Sequence, residues 1–252
     1  MCEIKQNYYG SLCTEMYEIL HDHAPQEELN FYLSYANQED KILEVLCGRG
    51  RFLIPFMAKG LNIVGVDLSS EMLAKLKEKE PKAKFFQADI LEYSSQEKYD
   101  YIFISSSSVS LFTDINVCKK VLEKIKMMLS NHGKFVFAVD TIANKLANDD
   151  EYKETVSVKM KNNDELVLKS KNYYDQQTQT QFSPGIYELY HSNKELVQKE
   201  YMDFQTHLYQ FGEMEQYLKE VGFTNVKTYS SFAKDIAVNA QCEFFLFECM
   251  VL

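Results

Sequence analysis

The chain is 252 residues long and contains no tryptophan, so any apolar cage must be built from other aromatic and aliphatic side chains. It has no excess of basic residues: 27 Lys and Arg stand against 37 Asp and Glu, for a net charge of -10. A nucleic-acid substrate calls for a basic surface that neutralises phosphates, so this composition argues against such a partner. Lysines do cluster at Lys75, Lys77, Lys79, Lys82 and Lys84, but Glu78 and Glu80 interrupt them, and the run reads as a solvated helix face and loop. No apolar run approaches the roughly 18 residues that mark a membrane span. The stretch Met1-Cys2-Glu3-Ile4-Lys5-Gln6 holds no apolar signal core, which predicts a cytoplasmic protein. The six cysteines show no Cys-x-x-Cys spacing and read as reduced thiols. His21-x-His23 has no acid or cysteine at clear ligand spacing, and His132 and His191 are scattered, so no metal is expected.

What the chain does have is a regular alternation of strand and helix. At 46% hydrophobic and 25% charged residues it is an ordinary globular composition, long enough for one or two domains. Residues 8–36 carry two helical stripes, Leu12-Met16-Ile19-Leu20 and Leu29-Tyr32-Leu33-Ala36, separated by Pro25. Strands are predicted over 41–46, 62–67, 84–89, 99–104 and 134–140. Helices are predicted over 51–59, 71–79 and 115–129, the first closed by Gly60 and the second capped by Ser69 or Ser70 and stopped by Pro81. That order predicts a doubly wound, mostly parallel α/β sheet with both faces covered. From 153 to 209 the period changes to two, with turns at Lys161-Asn162-Asn163-Asp164, Ser183-Pro184-Gly185 and Ser192-Asn193-Lys194, which reads as an antiparallel meander. A helix near 212–221, a strand near 225–230 and an apolar strand over 243–251 close the chain.

The densest signal lies at 42–50. The apolar strand Ile42-Leu43-Glu44-Val45-Leu46 carries an acid, and Gly48-Arg49-Gly50 opens a helix four residues later. A second acid, Asp67, closes the strand after Asn62-Ile63-Val64-Gly65-Val66, and a third, Asp89, follows Lys84-Phe85-Phe86-Gln87-Ala88. A strand–glycine loop–helix unit with acids at three successive strand ends marks a nucleoside site. The dinucleotide fingerprint Gly-x-Gly-x-x-Gly is absent, because Leu53 occupies its last position; no Gly-Lys-Ser/Thr follows, which excludes a phosphate-binding loop.

These residues resemble the class I S-adenosylmethionine-dependent methyltransferases, in particular the bacterial small-molecule subgroup. The resemblance runs from Glu44 through Gly48 to Pro55, then Gly65 to Leu73 and on to Asp89, and more weakly to the C-terminus; Leu46 stands where most members carry glycine. It implies a Rossmann-like seven-stranded sheet whose last strand is antiparallel, with an antiparallel β insertion covering the active site. One domain is then expected, with an N-terminal helical lid (1–37), a cofactor-binding core (38–150), the insertion (151–210) and a C-terminal helix and β-hairpin (211–252).

The resemblance also implies roles. Glu44 would organise the methionine end of the cofactor, Asp67 would accept both ribose hydroxyls, and Leu68 would flank the adenine. Asp89 and the Ile90 backbone would meet the adenine edge, and Ser105 and Ser106 would offer carbonyls to the cofactor's amino group. Leu46, Cys47, Gly48, Gly50 and Met72 would line the same site, with Arg51 and Tyr17 reaching the carboxylate. Plainer readings stand beside these: Asp67 as a helix cap, the serine run 105–108 as a polar turn, Arg51 as a structural first-turn residue, Tyr8, Tyr9 and Tyr17 as packing residues. Tyr9 and His207 are the candidate catalytic groups. His207 falls on the polar side of an alternation over 201–209, with Tyr201, Asp203, Gln205 and Tyr209, and is either a general base or part of a solvated face.

The expected function is methyl transfer from S-adenosyl-L-methionine to a small-molecule acceptor, leaving S-adenosyl-L-homocysteine, by a monomer or homodimer without nucleic-acid or membrane partners. An aromatic-rich lid with Tyr173, Tyr174, Tyr187 and Tyr190 would suit a partly apolar acceptor. The alternative is a non-catalytic or protein-directed domain that binds the same cofactor.

Overall fold

The computed structural model describes residues 6–251; Met1 to Lys5, Cys2 among them, and Leu252 lie outside the described residues. In chain order the elements are α1 (Ser11–Leu20), α2 (Gln26–Leu33), β1 (Lys41–Val45), α3 (Leu53–Ala58), β2 (Asn62–Asp67), α4 (Ser70–Lys79), β3 (Phe85–Gln87), β4 (Tyr99–Ile104), α5 (Ile115–Met128) and β5 (Leu129–Asp140). There follow β6 (Lys153–Lys159), β7 (Glu165–Ser170), β8 (Tyr173–Asp175), β9 (Thr180–Phe182), β10 (Gly185–Tyr190), β11 (Leu196–Met202), β12 (Gln205–His207), α6 (Glu213–Val221), β13 (Thr224–Tyr229) and β14 (Phe244–Met250). Contacts divide the chain into two compact units. One joins the residues up to Asp22 with Lys145–His207, and the other joins His23–Asn144 with Leu208–Leu252. No helix among the described residues is long and apolar enough to cross a membrane.

The larger unit holds a seven-stranded sheet in the order β13-β14-β5-β4-β1-β2-β3, parallel except for β14, which runs antiparallel to both β5 and β13. Its central strands are apolar on both sides because both faces are covered. Leu43, Ile102, Ile104, Phe135, Phe137 and Val139 face a core shared with α5 and α6. Ile42, Tyr101, Phe103, Val136 and Ala138 face the opposite core, with Phe31 and Tyr32 from α2 and Phe56 from α3. Phe135 stacks on Phe137 at 4.5 Å and Phe137 on Phe247 at 5.0 Å, which ties β5 to β14.

Local chemistry sets the ends of the helices. The Asp114 carboxylate accepts the Asn116 and Val117 N–H groups and starts α5, and the Ser69 hydroxyl accepts Met72 N–H and starts α4. Gly222 closes α6 at φ 89°, a left-handed turn that a side chain would strain. Pro25 stands at the N-cap of α2, as its position between the two helical stripes predicts. The third strand is shorter than its sequence pattern: β3 ends at Gln87, and Asp89 lies in the turn beyond.

The smaller unit contains two sheets where the sequence pattern predicts one meander. β11-β10-β7-β6 form an antiparallel four-stranded sheet, and β12-β9-β8 form a separate three-stranded one. The β8–β9 hairpin intervenes between β7 and β10. Helix α1 packs on the larger sheet through Leu12, Cys13 and Met16, against Leu166, Tyr187 and Met202. Its N-terminus has no side-chain cap of its own, because Gly10 precedes it. Glu200 supplies one: its carboxylate accepts Leu12 N–H at 3.0 Å, Cys13 N–H at 3.1 Å and the Ser11 hydroxyl at 3.0 Å. A Cβ on Gly10 would lie 2.7 Å from that carboxylate, so a side chain there would push the Glu200 carboxylate aside.

The continuous strand expected over 201–209 does not form. β11 ends at Met202, and β12 begins at Gln205 in the other sheet. The alternation fails with it: Tyr201 is 53% exposed, whereas His207 and Tyr209 are each 1% exposed. The intervening backbone is used elsewhere, with the Asp203 carbonyl accepting Asn7 N–H and the Phe204 carbonyl accepting Ser183 N–H.

Candidate functional site

Strands β1, β2 and β4 of the larger unit lie side by side and parallel, so their carboxyl ends meet at one edge, where open α/β sheets take ligands. Asp67 ends β2. One of its oxygens accepts Gly48 N–H at 2.7 Å and the other accepts Ser69 N–H at 2.8 Å, which locks the carboxylate between the glycine loop and α4. Burial pushes its pKa up, and the amides of Ser69, Gly48 and Leu68 pull it back.

Glu44, in β1, is 1% exposed. Its Oε1 accepts the Ser105 hydroxyl at 3.4 Å, and its Oε2 is buried without a hydrogen-bond partner. Burial drives its pKa well above the usual carboxylate range; the Ser105 hydroxyl and the Arg51 cation oppose this, and the Asp67 charge adds to it. An orphaned buried carboxylate oxygen is costly and calls for a cationic or donor group.

The loop between β1 and α3 shows why its residues are what they are. Leu46 has φ 58°, Gly48 φ 51° and Gly50 φ 80°. Leu46 therefore holds a left-handed conformation in a place where glycine would be unstrained, at a cost of about 1–2 kcal/mol. The two glycines differ. A Cβ on Gly50 would sit 2.4 Å from Leu76 Cδ1, so this glycine lets α4 pack. A Cβ on Gly48 would meet nothing nearer than Met72 Sδ at 3.9 Å, so that position borders open space.

Beyond β4, Ser106 and Ser107 take φ 55° and 54°, two consecutive left-handed residues. They are held by neighbours. The buried Glu28 carboxylate from α2 accepts Ser106 N–H at 2.8 Å, and Arg51 Nη2 donates to Ser106 Oγ at 2.5 Å. Burial raises the pKa of Glu28, opposed by the Ser106 amide and the Arg51 charge. Glu28 also borders this edge, and the sequence reading omits it. Its signal is its position four residues before the buried Tyr32, on the same helix face.

The adenine-side candidates are placed as follows. Leu68 is 43% exposed beside Asp67. Asp89 is exposed and accepts Leu91 N–H at 2.9 Å, while Ile90 is buried. Cys47 and Met72 are buried next to the loop, and Cys47 Sγ lies against Gly65, where a Cβ would approach it to 2.6 Å. The larger unit thus brings Glu44, Gly48, Asp67, Ser105, Ser106 and Arg51 to one edge.

The remaining candidates belong to the smaller unit. Tyr17 lies in α1 and meets Tyr9 edge-on at 5.9 Å and His21 at 4.6 Å. His207 lies in the three-stranded sheet, its Nδ1 3.1 Å from the Thr178 carbonyl. The structure therefore groups Tyr9 with Tyr17 and sets His207 in a different sheet of that unit.

Residues 42–133 match the family model described as a methyltransferase domain. The chain is 26% identical over 129 residues to the putative methyltransferase YqeM of Bacillus subtilis (strain 168), covering 49% of this chain and 52% of that one. The chain spans about half the length of the curated relatives it matches. Among solved structures, an S-adenosylmethionine-dependent methyltransferase from Clostridium acetobutylicum superposes with a TM-score of 0.74 at 18% identity, covering 94% of this chain and 96% of that one. The sugar N-methyltransferase KedS8 from Streptoalloteichus superposes with a TM-score of 0.74 at 15% identity, covering 100% and 98%.

Proposed function

We propose that the chain, whose residues 42–133 match a methyltransferase domain model, is a class I, S-adenosylmethionine-dependent methyltransferase that transfers a methyl group to a nucleophilic atom of a small molecule. The observation that carries this reading is the unpartnered Oε2 of Glu44 at the strand edge that also holds Asp67. Three carboxyls, the buried Glu28 and Glu44 and the half-buried Asp67, all have raised pKa values, and Arg51 is the cation that opposes two of them. Such a site favours a ligand with positive charge, and S-adenosylmethionine carries an ammonium and a sulfonium.

When bound, the cofactor would supply a methyl activated by its sulfonium, which an in-line acceptor lone pair would take as the carbon–sulfur bond breaks and S-adenosylhomocysteine leaves. In the proposed assignment Glu44 takes the ammonium, with the Ser105 and Ser106 carbonyls beside it. Asp67 accepts the vicinal ribose hydroxyls while remaining fixed by the Gly48 and Ser69 amides. Open space at Gly48 lets the ligand approach the backbone, and Leu68, Asp89 and Ile90 meet the adenine. Arg51, held by Ser106, remains the candidate for the carboxylate. Positioning supplies most of the acceleration in such a transfer, so no nucleophile triad is required. A small-molecule acceptor is supported by the likeness to KedS8, named as a sugar N-methyltransferase, and by the acidic charge of the chain.

The test is release of S-adenosylhomocysteine from S-adenosylmethionine in the presence of a panel of small amines and alcohols, amino sugars included. Acceptor-dependent release that Asp67→Ala abolishes is the expected result. Binding of the cofactor with no release on any member of the panel would favour the non-catalytic alternative.

A further inference from the structure

The smaller unit holds a half-open cavity of about 320 Å³ between α1 and the four-stranded sheet. Its size falls near the lower end of the roughly 300–1,000 Å³ that small-molecule sites occupy. Three tyrosine rings, Tyr9, Tyr17 and Tyr187, share its wall with three sulfur side chains, Cys13, Met16 and Met202. Methionine sulfur and tyrosine edges both pack favourably on an aromatic ring. The lining contains no carboxylate and no ammonium group, and His21 is its one residue with a basic ring.

Two groups in the wall report how little the cavity tolerates charge. Burial pushes the Cys13 thiol up to about 12, with the nearby Glu200 charge adding and Tyr187 opposing. Burial also pushes the Tyr187 phenol upward, with Cys13 adding to it. An ionised ligand would meet the same desolvation cost. Polar contact is still offered. The Tyr187 hydroxyl meets sulfurs, Met202 Sδ at 3.9 Å and the Cys13 thiol, and sulfur is a weak acceptor that leaves a phenol with capacity to spare. Ser170 and Ser183 add hydroxyls on the sheet side.

We infer that this cavity is a binding site for an uncharged ring-bearing small molecule, aromatic or alicyclic, that carries a hydroxyl group. The inference goes beyond methyl transfer and stands on the smaller unit alone.

The probes are 4-methylphenol and cyclohexanol, with benzoate as the charged comparison, titrated into the full chain labelled at its methionine methyls and followed by NMR. Saturable shifts of the Met16 and Met202 methyls with both neutral probes are expected, with benzoate at least tenfold weaker. Leu168→Trp, which adds volume to the wall, should weaken the neutral probes at least tenfold, and Ser170→Leu serves if the first variant fails to fold. Absence of saturable shifts with the neutral probes, equal binding of benzoate, or unchanged binding in a folded filled variant would overturn the inference. S-adenosylhomocysteine titrated into the same samples reports separately on the methyl-transfer reading, so the two can fail independently.

Discussion

Replacing Glu44 by Gln should make the chain bind its cofactor less well without making it less stable at neutral pH. Burial holds the Glu44 carboxyl well above the ordinary range. The folded-state pKa is therefore raised above the unfolded one. The stability it contributes is complete below the unfolded value, about 4.3, and is lost as pH rises through the folded value. Inside that window each pH unit removes about 1.4 kcal/mol. Gln cannot ionise, so Glu44→Gln should flatten the decline and melt at or above the wild-type temperature at pH 7 and above. The same change removes the charge offered by the unpartnered Oε2. A charged hydrogen bond is worth about 1.5–3 kcal/mol, which corresponds to roughly 10- to 150-fold weaker binding of S-adenosylhomocysteine, whose ammonium is retained. Calorimetry in two buffers of different ionisation enthalpy adds a second readout. Wild-type protein should release a proton on binding as Glu44 ionises, and the variant should not. Unchanged affinity, or a variant that melts well below wild type at pH 8, would refute the reasoning.

Three further outcomes follow from the geometry. Gly48→Ala should fold, at a cost of about 1 kcal/mol for its positive φ, yet lose cofactor binding. Gly50→Ala should lose more stability, because its Cβ would lie 2.4 Å from Leu76; thermal melts and calorimetry on both variants check the contrast. Glu28→Ala leaves the Ser106 amide without its acceptor and should cost about 1–3 kcal/mol in denaturant unfolding. Glu188 is held down to about 2 by Lys169, with Tyr190 and Lys199 helping. Its folded pKa is depressed, so its stabilisation is present above the unfolded pKa and is lost as pH falls from about 4.3 toward 2. Glu188→Gln should therefore shift the acid-unfolding midpoint upward, and circular dichroism from pH 6 to 2 measures it.

The seven-stranded sheet was legible because its strands are short, apolar and punctuated by Gly, Pro and capping residues whose roles are local. The placement of Asp67 and Glu44 at one sheet edge was legible for the same reason: each follows from its place on a strand beside a glycine loop. The positive φ of Leu46 explains why glycine would be the simpler residue there. The smaller unit was less legible. Period-two patterning identifies strands but not partners, so nothing local signals that the β8–β9 hairpin builds its own sheet or that the backbone at Asp203 and Phe204 pairs elsewhere. The polar face assigned to His207 failed on that account, since its alternation assumed one unbroken strand. Glu28 was hidden because its contact is with Ser106, 78 residues away in sequence.

Direct titration of S-adenosylmethionine and S-adenosylhomocysteine into wild-type protein and Asp67→Ala tests the central claim, that the edge formed by Glu44, Gly48 and Asp67 holds the cofactor. The account predicts micromolar binding to the wild type, about -8 kcal/mol, and at least tenfold weaker binding to the variant. Absence of binding to a folded wild-type protein, or equal binding to both, would contradict it.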